Sequence, residues 1–427
     1  MEHGAGIIDF MRETLPHVRS ITGPGLRQTL QAIQRRIPIS IEAVPSGTTV
    51  LDWVVPPEWR LNDAWIADAS GRRVVELADS PLRVMSYSTP VRARLPLAEL
   101  REHIFTLPDH PDWIPYRTSY YREAWGFCLR QAELDALSDG DYDVCIDSEV
   151  LPGGELNYGE LVIPGDTADE VLVSAHICHP GMCNDNLSGA GVAIALAGEL
   201  LRRRNHYTYR FLFVPGTIGS ISWLARNETR LGAIRHGLVL AGVGDAGPFT
   251  YKASRRGDSQ IDKVMPFVLA GRGQPHHVMG FEPYGYDERQ YCSPGFDLPV
   301  GCLMRSKHGT YPQYHTSADN LDFVSEARLG DAVSLCLEAF EILEGNRRYL
   351  NLSPRGEPQL GRRGLYRALG GLPSAGDAEL AMLWVLSFSD GSNDLLQIAT
   401  RAGLPFAAVR TAATALEQHG LLAEVPR

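Results

Sequence analysis

The sequence predicts an α/β chain: a mostly parallel mixed sheet with helices on both faces, a small β domain inserted near the start, and a C-terminal winged helix-turn-helix. Three observations carry this. From Gly140 onward strand-like runs alternate with helical ones, the pattern of a sheet with crossover helices. Between about residues 46 and 107, short β-rich runs stand between Pro and Gly clusters. Beyond residue 376, helical segments flank the turn Gly403-Leu404-Pro405.

In order along the chain, residues 1–45 open with two helices. Ile7, Ile8, Met11 and Leu15, then Leu26, Leu30 and Ile33, recur at helical spacing on either side of Thr22-Gly23-Pro24-Gly25. Residues 46–107 are read as the inserted β domain. The principal domain then spans 108–345. It starts with a stretch dense in aromatics, Trp113, Tyr116, Tyr120, Tyr121, Trp125 and Phe127, read as a packed platform between domains in preference to a substrate wall. Runs at 141–146 and 154–163 read as strands. The run from Glu170 to Ala175 is continuously apolar after its first residue, which suits a strand covered on both faces. A helix follows from Ser188 to Arg204, then a strand at 207–215, a helix from Ser220 to Arg230, a strand at 237–243 and a last amphipathic helix from Glu326 to Glu344. Residues 346–376, rich in Arg, Gly and Pro, read as a linker to the winged helix of 377–427.

Composition narrows the function. A chain that is 44% hydrophobic and 21% charged buries a large core, and a net charge of -11 argues against broad nucleic-acid or anionic-membrane binding. No apolar run reaches the ~20 residues a spanning helix needs, and Glu2 and Asp9 stand where a secretory signal would be positive, so a cytoplasmic location is expected. Seven cysteines, an odd number at no zinc-finger spacing, fit reduced thiols. From Asn346 onward nine Arg and no Lys face seven acids, too little excess charge for DNA. Packing, dimerisation or covering of the active site is the expected role of that tail.

The chemistry concentrates in two loops. In the first, His176-Ile177-Cys178-His179 leads through Asn184-Asp185-Asn186 into a helix, so a buried strand delivers two imidazoles and a carboxylate to one corner. Zinc takes nitrogen and carboxylate oxygen ligands, and a catalytic zinc keeps one position open. The second loop carries His315 and, four residues on, Asp319, a carboxylate suited to an outer position. Cys178 and Cys183 bracket His179, but their spacing is not CxxC and they read as small buried thiols.

His176, the Asn184-Asp185-Asn186-Leu187-Ser188-Gly189 run, the strand end at Gly216-Thr217 and His315-Thr316-Ser317-Ala318-Asp319 together resemble the zinc aminopeptidase superfamily, which includes bacterial leucyl aminopeptidases and glutaminyl cyclases. The likeness covers about residues 150–345. With the segment 287–295 and the CysHisPro phrase, the whole chain resembles a bacterial family of aminopeptidase-like proteins with an inserted β domain and a C-terminal winged helix. The resemblance implies a zinc centre of one or two ions held by His315, a carboxylate from 184–186 and a histidine from 176–179. Counting back from Ser188-Gly189 points to Asn184, but Asp185 is the better anionic ligand and is preferred; His176 and His179 both remain open. Asp245 is a further ligand candidate or a turn aspartate. Where the superfamily presents glutamates, one of them the general base, this chain has Gly216 and Thr217. Glu288 is the candidate replacement or half of a solvated ion pair, and Arg289 a candidate for holding a substrate carboxylate. The expected function is zinc-dependent hydrolysis of a small amide or peptide-like substrate. A ligand sensor with winged-helix output, or a cyclase or acyl transferase, are the alternatives.

Overall fold

The computed structural model describes residues 2–365 and 377–425, which fall into two compact units: Met1–Asp262 with Pro275–Cys336, and Lys263–Gln274 with Leu337–Arg427. The first unit is built on an eight-stranded mixed sheet. Its strands in chain order are β1 (Ser40–Pro45), β2 (Glu155–Ile163), β3 (Glu170–His176), β4 (Thr208–Val214), β5 (Ile234–Leu240), β6 (Phe249–Lys252), β7 (His276–Met279) and β8 (Val300–Met304). They lie in the order β1-β2-β4-β3-β5-β8-β6-β7. The central four, β4, β3, β5 and β8, run parallel, while β1, β2 and β6 join antiparallel to their inner neighbours.

Every residue of β3 is buried, which is why its sequence does not alternate. Burying a side chain such as Val171, Leu172 or Val173 contributes roughly 1.5–3 kcal/mol each, and all three are fully inaccessible. The helix Gly189–Leu200 returns the chain from β3 to β4, and Ile218–Asn227 leads from β4 toward β5. At Gly191 a Cβ would stand 2.4 Å from Ile7 Cγ2, so glycine lets the N-terminal helix Glu2–Thr14 press directly on that crossover helix.

A second sheet of four antiparallel strands runs Arg73–Glu76, Glu58–Ala67, Asp141–Leu151, Val91–Pro96. One of its two inner strands, Asp141–Leu151, comes from outside 46–107. Tyr142, Val144 and Ile146 turn inward in alternation, the signature of a strand with one face wet, unlike β3. A single apolar core runs through both sheets, from Trp59 and Ile66 to Val239 and Val300.

In the second unit, the helices Asp377–Phe388, Leu395–Ala402 and Phe406–Gln418 and a three-stranded antiparallel sheet form a winged helix. Asp394 caps the second helix by accepting the Gln397 N–H, and Gly403 ends it in the left-handed conformation at φ 66°. Arg348–Asn351, within the stretch read as a linker, is the middle strand of this sheet. Residues 366–376 of that stretch lie outside the described residues. Among the described residues no helix is long and apolar enough to cross a membrane, and all seven cysteines are buried free thiols.

Candidate metal centre

β3 ends at His176, and the chain then turns through a wholly buried corner, 183–188, before the helix Gly189–Leu200. The corner is held from a distance. Asp319 accepts the backbone N–H groups of Cys183, Asn184 and Asp185 at 3.2, 2.5 and 2.8 Å, so one carboxylate satisfies three buried donors in succession. Asn186 accepts from the backbone of Gly189 and Gly242 and donates to the Leu240 carbonyl, tying the corner to the end of β5. The Asp185–Asn186 and Gly216–Thr217 peptide bonds are both cis.

These restraints aim the Asp185 carboxylate at three imidazoles. His176 Nε2 stands 2.8 Å and His179 Nδ1 3.5 Å from Oδ1, while His315 Nε2 stands 3.0 Å from Oδ2. His315 is placed by its backbone: its carbonyl accepts the Tyr116 N–H at 2.9 Å, and Ser317 exchanges bonds with Ile114. Its φ of 58° lies in the left-handed region, a conformation that this pairing holds. Burial pushes the Asp185 carboxyl upward, but the charge of the nearby His179 and the hydrogen bonds with His176 and His315 outweigh it and keep the group well below the usual carboxylate range. Burial likewise drives His179 and His315 below the ordinary imidazole value, so both favour the neutral, ligating form.

His176, His179 and Asp185 offer ligand atoms all within 4.8 Å of one another. His179 Nδ1 is buried and has no hydrogen-bond partner among the described residues, an orphaned lone-pair site facing the carboxylate. The set of nitrogens plus one carboxylate oxygen is the chemistry zinc favours. The residues therefore fit such an ion. Tyr286 adds a hydroxyl that donates to Asp185 Oδ2 at 3.1 Å and meets the Tyr314 hydroxyl.

The remaining candidates go elsewhere. Asn184 turns away from the imidazoles and donates from Nδ2 to Asp245 Oδ2 at 2.9 Å. Asp245 also accepts from Gly247 N–H and from both Ser306 donors, a saturated turn carboxylate outside the imidazole cluster. Glu288 is buried in an ion pair with the equally buried Lys252 and accepts the Tyr286 N–H, so its charge is spent structurally. Arg289 does reach the site: with His179, Gly216, Thr217 and His315 it lines a cavity of about 380 Å³. Burial raises the Cys178 thiol to about 12, which leaves it inert beside His179.

Tyr116, Tyr120 and Asp287 were not picked out as site residues in the sequence. Tyr116 and Tyr120 line the cavity, so part of the aromatic stretch is a wall, while Phe127 packs in the core. Asp287 is fully buried, with Oδ1 accepting from Ser220 at 2.7 Å and Oδ2 without a partner among the described residues. Burial and the neighbouring Glu288 charge raise it to about 7, against the Ser220 bond. Its Oδ1 would lie 3.9 Å from a Cβ on Gly216, beside His176. The signal was present as an acid next to Glu288, but only the fold sets it under Gly216.

Comparison with known proteins agrees with this architecture. A family profile described as a domain of unknown function, DUF4910, matches residues 8–346, and a winged helix-turn-helix profile matches 347–424. A Clostridium acetobutylicum protein is 48% identical over 421 residues, 99% of this chain and 96% of its own. Its provisional description is a polysaccharide biosynthesis protein with an aminopeptidase-like domain. A crystal structure from Clostridium acetobutylicum, provisionally described as a peptidase, is 46% identical and superposes with a TM-score of 0.94, covering 99% of this chain and 97% of that one. A zinc aminopeptidase from Bacillus subtilis shares the fold at 14% identity and a TM-score of 0.58, covering 80% of this chain and 94% of that one. An aminopeptidase-like α/β fold with three imidazoles gathered on Asp185, followed by a winged helix, makes this chain a member of the DUF4910 family.

Proposed function

We propose that the protein is a zinc-dependent amide hydrolase acting on a small amide or peptide-like substrate. The observation that carries this reading is the convergence of His176, His179 and His315 on Asp185 at the wall of a cavity. His176, His179, Asp185 and His315 are the residues that would hold the ion. A bound zinc supplies a Lewis acid for the amide carbonyl and lowers the pKa of a water molecule.

The chain's own residues supply the rest. Tyr116, Tyr120 and Tyr286 wall the cavity with aromatic surface. The Tyr286 hydroxyl, which donates to Asp185 and neighbours His315, helps to orient that carboxylate beside the cavity. In place of the glutamate absent at Gly216, the proton acceptor proposed is Asp287, whose Oδ1 borders the space a Cβ on Gly216 would fill and whose value near 7 matches that task. Glu288 is not assigned this role, because its charge is neutralised by Lys252. The description of the Clostridium relative as a polysaccharide biosynthesis protein supports including N-acyl sugars beside aminoacyl amides in the substrate panel.

The test is elemental analysis of the purified chain and release of amine from a panel of acyl amides. Bound zinc and turnover, both lost with a chelator and in His315→Ala, are expected. A zinc-loaded chain inert across the panel would replace hydrolysis with ligand sensing.

A further inference from the structure

The cavity beside the imidazoles has a one-sided charge. None of the residues described as lining it is acidic, whereas Arg117 and Arg289 both face it, together with Thr118 and Thr217. Both arginines are exposed, and among the described residues neither is in an ion pair. A third arginine strengthens the field from behind. Arg19 is wholly buried, its Nε donates to the His179 carbonyl at 2.8 Å, and Nη2 has no partner among the described residues. No carboxylate among the described residues pairs with it. In a chain of net charge -11, this local excess of cation is a property of the site. Of the two nearby carboxyls, Asp185 is already committed to three imidazoles and Tyr286, and Asp287 is wholly buried outside the lining, where it accepts from Ser220.

An enzyme that takes the free amino end of a peptide must hold an ammonium group, and that requires an available carboxylate or a set of carbonyls. Here an ammonium would meet guanidinium groups. An oxyanion would instead gain charge-assisted, paired N–H···O bonds, which the planar guanidinium provides.

We propose that the substrate carries an anionic oxygen group, carboxylate or phosphate, bound by Arg117 and Arg289 at the cavity wall, and that a free α-ammonium group is selected against. This rests on the hydrolase reading for its substrate, but the binding preference is measured separately from turnover. With the zinc-loaded full-length chain, calorimetric titration compares N-acetyl-L-alanine with N-acetyl-L-alaninamide, N-acetylglucosamine 1-phosphate with N-acetylglucosamine, and includes L-alaninamide as the cation. At least one anion is expected to bind about ten- to a hundredfold tighter than its neutral partner. That advantage is expected to vanish in the Arg117→Ala/Arg289→Ala double variant, to return partly in the double Lys variant, and to leave zinc content unchanged. The two pairs distinguish carboxylate from phosphate. Equal affinities in both pairs, tighter binding of L-alaninamide, or an anion advantage that survives in the double variant would overturn the proposal. Mass spectrometry of the same mixtures reads amide cleavage: anion binding without cleavage sinks the hydrolase reading alone, and cleavage without charge preference sinks this one alone.

Discussion

Two neighbouring parallel strands, β3 and β4, finish at the same cavity and finish differently. β3 runs out through His176 into a corner where every side chain from Cys183 to Ser188 is buried and Asp185 is bound on both oxygens. β4 runs out through Pro215 to Gly216 and Thr217, which bring neither an acid nor an imidazole. On the proposed function, the contrast teaches that metal ligation and proton transfer would be separable in this fold. One strand end would supply ligands, and the other, by having no side chain at Gly216, leaves room that the Asp287 carboxylate borders from a different element.

The largest expected effect comes from breaking the β3 corner. Asp185→Ala removes the carboxylate shared by three imidazoles and leaves them to repel any proton or cation unaided. Removing an outer partner already costs about 10–100-fold in metal affinity, so loss of this ligand should exceed about 100-fold, measured by competition with a chromogenic chelator, with turnover at background.

On the β4 side, Asp287→Asn should keep zinc and lower turnover by about 100-fold or more, the usual reach of a general base. Its pH behaviour sharpens the test. The fold holds this carboxyl up to about 7, so the native state favours the protonated form. That contribution to stability is complete below the unfolded carboxylate value of about 3.9 and is lost as pH rises through about 7. Asp287→Asn should therefore flatten the fall in melting temperature between pH 5 and 8 and erase the rise in rate near pH 7; an unchanged profile would assign the proton to another group.

Asp319→Ala leaves the buried N–H groups of Asn184 and Asp185 without an acceptor, while Cys183 N–H keeps its bond to the residue 319 carbonyl. It should lower zinc affinity by about 10–100-fold while sparing the intrinsic imidazole ligands. A Cβ at Gly216 would come within 3.2 Å of His176 Cβ, a contact that a small shift relieves. Gly216→Ala should accordingly be the mildest change, with zinc retained and turnover reduced less than about tenfold; loss of zinc in this variant would show that the two strand ends are not separable.

Much of the fold was legible because periodicity reports burial. The unbroken apolar run of β3 marked a sheet centre, the Leu395–Ala402 and Phe406–Gln418 segments around Gly403 marked a winged helix, and both helices of the first 45 residues appear where spacing placed them. The strand Asp141–Leu151 was legible as a strand, but its sheet was not, since alternation tells which face is wet and says nothing of the partner. The same limit governed the site. His176, His179 and His315 stood out by residue type in polar loops after apolar strands, whereas Glu288 and Asp287, adjacent in sequence, differ in fate only because Lys252 lies beside one and Gly216 beside the other.

By itself the chain determined its elements, the corner after His176 and the imidazole-bearing loop around His315, because local spacing and residue chemistry act over a few positions. Only the tertiary structure decided that Asp185 and not Asn184 meets the imidazoles, that Asp245 is spent on a turn, and that Arg289 reaches the cavity. Those choices depend on contacts such as Asp319 with the backbone of residues 183–185, more than a hundred positions apart, and no local pattern encodes which distant donor a carboxylate will satisfy.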